Sequence, residues 1–124
     1  MSEERKPGRP VSERTLSRAK KAAMISNAEV TEVWNYWLTT MRAGSKRKPI
    51  LDATRIQIIA ASIHDYGVPG CKDAIDGCLL SEFHMGRNKT NKRFDSVELI
   101  FRDSEHVEKF HEILDKSQQD SEPW

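Results

Sequence analysis

The side chains with chemistry to offer are two cysteines, four histidines and a scatter of carboxylates. Cys71 and Cys78 are two helical turns apart, which places them on one helix face and suits core packing. A zinc site wants ligands paired two to four residues apart, and Cys-x6-Cys does not supply that. A thiolate nucleophile needs a histidine beside it, and no local pattern sets His64, His84, His106 or His111 there. His64-Asp65 would make an acid/base pair, but a dipeptide names no reaction. Asp73 and Asp76 share one helical side and would bind a cation, or more simply face water or pair with Lys72 and Arg55. Lys6–Pro10 is too short for a phosphate loop and lacks the Lys-Ser/Thr ending. No catalytic constellation emerges. The expectation is a non-enzyme with no cofactor and no metal.

The cations are more informative. Lys and Arg number 20 against 19 Asp and Glu, a net of +1 that hides a pattern. Residues 1–24, 42–55 and 86–94 each carry a net of +4, and residues 95–124 carry −6. Three basic blocks point to an anionic partner, with nucleic acid the usual candidate, against the plainer reading of solvated Lys-rich loops. The candidate phosphate contacts are Arg5, Lys6 and Arg9, then Lys46, Arg47 and Lys48, then Arg87, Lys89, Lys92 and Arg93. Between the last groups, His84, Met85, Asn88 and Asn91 are candidates to touch bases or a protein partner. The alternative for them is a loop pinned by Asn and Gly turns.

These residues need elements to hold them. At 124 residues, 37% of them apolar, the chain allows one domain with a modest core. No apolar run approaches the roughly 18 residues of a membrane span, and Met1–Pro7 has no apolar stretch of a secretory signal. Two cysteines make no disulfide scaffold, so an intracellular, reduced setting is expected.

Residues 1–25 are rich in Arg, Ser and Pro, and are expected to be a basic arm, disordered when free. Arg14–Met24 would form a basic helix on binding. A helix is predicted from Ser26 to Arg42, with Val30, Val33, Trp34, Trp37, Leu38 and Met41 on one face. Ser26 and Glu29 form a capping box, and Gly44 ends the helix. Its Trp pair is read as core rather than as a platform for bases. After a basic loop closed by Pro49, Asp52 or Thr54 caps a helix through Asp65 that turns Ile56, Ile59, Ala60 and Ile63 inward. Tyr66-Gly67 stops it, and Val68-Pro69 opens another helix to about Leu80. The inward face there is Cys71, Ala74 or Ile75, Cys78 and Leu79. Gly77 weakens that helix by about 1 kcal/mol and marks a close approach of another backbone or a ligand.

Residues 81–94 read as a long polar loop with Phe83 and Phe94 as apolar pins, Phe83 being assigned to the core. Ser96–Arg102 reads as a helical turn. Asp103 or Ser104 caps a last helix to about Lys116, with Val107, Phe110, Ile113 and Leu114 inward, and residues 117–124 form an acidic flexible tail. The expected fold is all-α: a small bundle of four helices plus a short helical turn over residues 26–116, behind the arm.

Two resemblances add to this. Arg5-Lys-Pro-Gly-Arg-Pro10 resembles an AT-hook, whose Gly-Arg-Pro core lies in the minor groove of A·T-rich DNA. The same arm would also bind phosphates without preference. The runs Ala74-Ile-Asp-Gly-Cys78, Ser81-Glu-Phe-His-Met-Gly86, Lys92-Arg-Phe-Asp95, Leu99-Ile-Phe-Arg-Asp103 and Val107-Glu-Lys-Phe110 form the second. They are similar to the helical C-terminal domain of phage and prophage replication proteins, of the replisome-organiser, DnaD-like initiator or helicase-loader type. The resemblance spans about residues 28–114. Such proteins commonly carry a winged-helix domain ahead of this one, and here a basic arm stands in that place. The resemblance implies a phage DNA-replication accessory that binds DNA and contacts a replication helicase or initiator protein, in the cytoplasm near the nucleoid. Other readings are a module that inhibits or redirects a host protein, and a small transcription regulator.

Overall fold

Helix α2, Asn27–Met41, starts where its caps direct it. Ser26 Oγ accepts the Glu29 amide at 3.2 Å, and Glu29 Oε1 accepts the Ser26 amide at 3.1 Å. Two otherwise orphan donors are thus satisfied reciprocally. This computed structural model describes residues 18–120. Ahead of α2 lies a short helix, α1, over residues 18–23. The remaining helices are α3 (Ala53–Leu80), α4 (Val97–Ile100) and α5 (Ser104–Asp120). Among the described residues the only extended pairing is a single bridge between Met85 and Arg93.

Helix α3 is two helices joined at one residue. Asp52 caps its start by accepting the Arg55 amide at 2.9 Å. Gly67 breaks it with φ 76° and ψ 166°, a region that glycine enters at no Cβ penalty. Pro69 then falls in the first turn of the second half, where its missing N–H has no partner to lose. The predicted stop and restart both hold.

The core lies between α2, both halves of α3, α4 and α5. Trp34 and Trp37 stack on each other with ring centroids 5.1 Å apart, both buried. Ile59, Ile75, Ile100 and Phe110 are fully buried. Gly77 sits where α3 crosses α5: a Cβ there would lie 2.0 Å from the Phe110 carbonyl oxygen. The close approach read from the sequence is therefore to another backbone.

Several boundaries differ from expectation. Part of the basic arm belongs to the fold. Ala22 and Ile25 pack against the core, Lys21 Nζ meets Asp65 at 2.9 Å, and Arg18 donates to the Arg102 carbonyl at 3.2 Å. The remainder of that arm, with Arg5, Lys6, Arg9 and the AT-hook-like run, lies outside the described residues. Helix α5 continues to Asp120, so residues 117–120 are helical rather than tail. Ile113 and Leu114 are half-buried. Leu79 is not inward: it is 44% exposed, and Leu80 48%. Both lie in the last turn of α3, beside Cys78, which is fully buried on the inward face. Phe83 is not core either, at 56% exposed.

Candidate functional site

Two loops at one end of the bundle carry most of the second and third basic blocks. Loop 1 (residues 42–52) follows α2, and loop 2 (residues 81–96) follows α3. Asp95, only 3% exposed, ties them together. The Arg42 guanidinium of loop 1 grips both carboxylate oxygens, at 2.8 and 3.2 Å. Arg93 of loop 2 donates through Nε at 3.0 Å and reaches the Met41 carbonyl through Nη2 at 3.2 Å. Trp37 Nε1 donates to the Asp95 carbonyl at 2.8 Å, and the Arg42 guanidinium lies 4.6 Å from a Trp37 ring centroid. Burial pushes the Asp95 carboxyl up, but hydrogen bonds and charge from Arg42 and Arg93 outweigh it and hold it below the usual range.

That clamp sorts the cations. Arg93, expected to contact phosphate, is committed to Asp95 and Met41. Arg55 is committed to Glu98 at 2.8 Å and to the Ile50 carbonyl. Lys46, Arg47 and Lys48 on loop 1 and Lys89 and Lys92 on loop 2 are exposed, with no ion-pair partner among the described residues. Arg87 lies 4.0 Å from Glu82, and both are mostly in water, where such a pair contributes little.

Loop 2 is held rigid by Asn88. Its amide nitrogen donates to the carbonyls of Phe83 (2.7 Å) and Lys92 (2.8 Å). Its Oδ1 accepts the amide and hydroxyl of Thr90 (3.0 and 2.8 Å) and the amide of Lys92. All its capacity is spent inside the loop, so Asn88 offers nothing to a base or partner. Gly86 (φ 103°) and Asn91 (φ 57°) take the left-handed turns, and Asn91 remains exposed. His84 and Met85, expected on the exposed side, face inward. His84 Nδ1 meets Ser81 Oγ at 2.7 Å, and its ring abuts Phe110 edge-on at 4.9 Å. Burial, then the charges of Lys109 and His106, lowers the His84 pKa. Met85 packs against the core. The alternative of a loop pinned by Asn and Gly is the one observed.

Two residues here have roles that the sequence does not announce. Asp95 belongs by composition to the acidic end, and its one local signal is Arg93 two residues before it. Phe83 is exposed and stacks on Phe94, centroids 5.6 Å apart at 12°.

The other reactive groups are occupied. Both cysteines are fully buried, and burial pushes their thiols up to about 12, which makes them inert at neutral pH. His64 lies 3.1 Å from Asp65, which Lys21 also holds. Asp76 accepts the Tyr36 hydroxyl at 2.6 Å, and Lys72 pairs with Glu32 rather than with Asp73 or Asp76. A cavity of about 410 Å³ lies between α1, α3 and the start of α5; of its charged walls Lys21, Asp65 and Asp103 are paired, Arg18 donates to the Arg102 carbonyl, and Arg102 and Glu105 form no ion pair among the described residues. Among the described residues no group of three or more His, Cys, Asp or Glu side chains is placed to hold a metal, and no helix is long and apolar enough to cross a membrane. Set against known proteins, the chain matches no family model, no curated protein and no solved structure.

Proposed function

We propose that the chain is a DNA-binding accessory protein of phage replication that engages the phosphate backbone through loops 1 and 2. The observation that carries the DNA contact is the Asp95 clamp. It joins two basic loops at one end of the bundle while leaving Lys46, Arg47, Lys48, Lys89 and Lys92 unpaired among the described residues. Unpaired cations on a fixed frame bind phosphate by releasing counterions, without reading sequence. The replication role, and a helicase or initiator as protein partner, follow from the family resemblance given above. On this reading the protein acts on DNA in the cytoplasm of the host cell.

Gel shifts on single- and double-stranded DNA at several salt concentrations test the reading. Affinity is expected to fall steeply with salt. Reversing Lys46, Arg47 and Lys48 to Glu should weaken binding and reduce the salt slope by roughly three, about one per phosphate contact. No binding to either form at low salt refutes the proposal. A second reading, a module that captures a host protein, is favoured by the exposed Leu79 and Leu80. A pull-down from infected cells with the wild type and a Leu79→Ser, Leu80→Ser variant separates it.

A further inference from the structure

We infer that Phe83 is a stacking platform for a base of single-stranded nucleic acid. The inference rests on the DNA-binding reading above and narrows its ligand. Four phenylalanines are present in the chain. Phe101 and Phe110 are buried, and Phe94 is half-buried beneath Phe83. Phe83 alone is open, 56% exposed. Phe94 backs it in near-parallel orientation, and His84 meets it edge-on at 5.3 Å. The ring is therefore braced from the protein side.

Its surroundings favour an anionic partner over an apolar one. The Asn88 amide draws the Phe83 and Lys92 carbonyls onto one side chain, which brings the ring's backbone beside that of a free cation. Arg87 and Lys89 flank Asn88 on the same loop. Glu82 is the one acid within the loop ahead of Asp95, and it lies near Arg87. An exposed aromatic on a rigid cationic loop is the arrangement that holds single strands: cations track the backbone and the ring takes a base face. In a duplex the base faces are covered by their neighbours, and only a flipped base would reach Phe83. The platform therefore discriminates single from double strands. The exposed Leu79 and Leu80 at the end of α3 are the feature a protein partner would use instead.

The test is fluorescence anisotropy of the full chain with a labelled oligo-dT strand and with a duplex of equal length. The Phe83→Ala variant is expected to lower the ratio of single- to double-strand affinity about fivefold or more. The Phe83→Trp variant should restore that ratio, and its added emission should be quenched by oligo-dT. If Phe83→Ala fails to fold, as read by circular dichroism, the quenching decides alone. An unchanged ratio in Phe83→Ala, or an unquenched Phe83→Trp, overturns the platform and leaves the charged loops standing. Loss of a captured protein in Phe83→Ala, with oligo-dT binding intact, assigns the patch to a protein and also overturns it. A wild type that binds neither DNA overturns this inference and the functional reading together.

Discussion

Gly77→Ala sets two effects of opposite sign against each other. In an exposed helix the change would stabilise by about 1 kcal/mol, because alanine has less backbone freedom to lose. Here the new methyl would lie 2.0 Å from the Phe110 carbonyl oxygen and 2.7 Å from its carbon. Ordinary contact begins near 3.4 Å, so α5 must retreat by 1.4 Å, the difference from 2.0 Å. The obstacle is backbone, which cannot rotate aside as a side chain would. Retreat also loosens Val107 and Phe110, both fully buried against α3 and its neighbours. Overpacking of this kind costs about 3 kcal/mol or more. Subtracting the propensity gain leaves a net loss of about 2 kcal/mol. For a domain of this size that lowers Tm by roughly 8–16 °C. Thermal melts followed by circular dichroism, with urea midpoints alongside, read it directly. Gly44→Ala is the control: its φ is +83° with no atom within 4 Å of a new Cβ, so only backbone strain of about 1 kcal/mol applies. A Gly77→Ala protein that melts at or above the wild type, or loses less than Gly44→Ala, refutes the reasoning.

Asp95→Asn should cost about 2 kcal/mol in urea, less than a fully buried pair because both arginines remain partly in water. Because the folded Asp95 carboxyl sits below its unfolded value near 3.9, its contribution is present above about pH 4 and fades as pH falls through the lower folded value. The acid limb of a stability-against-pH curve should flatten in Asp95→Asn, and an unchanged limb would count against the clamp. His84 also has a lowered folded pKa, so its contribution is complete above its unfolded value near 6.5 and declines below it. His84→Gln should remove that decline below pH 6.5. Native protein at pH 8 should not react with a thiol reagent such as Ellman's, since Cys71 and Cys78 are buried; both should react in denaturant, and fast reaction of the native state would contradict the packing.

Local features were legible from the chain. The Val30–Met41 face, the Ser26 and Asp52 caps, the Gly67–Pro69 break and the Gly77 approach each depend on neighbours in sequence. What escaped reading depends on distant partners. Arg42 and Asp95 are 53 residues apart, and no periodicity links them. Leu79 is apolar like a core residue, but it sits one position round the helix from buried Cys78, and which side of that boundary is covered depends on the packing of distant elements. A basic helix within Arg14–Met24 is expected from the sequence, but its docking as α1 is not, since only Ala22 and the following Ile25 give it apolar contact with the core. In the site, the basic blocks were visible as counts. Which cations are spent on structure was not, because that depends on where the Asp95 carboxylate falls.

That carboxylate has a mechanical consequence. Arg42 and Arg93 share one anchor, so the roots of the two loops cannot drift apart without unseating it. On the DNA-binding reading proposed above, a strand lying across both would meet the cationic tips at a set interval. The two cationic loops are thus held at one separation by a single buried aspartate.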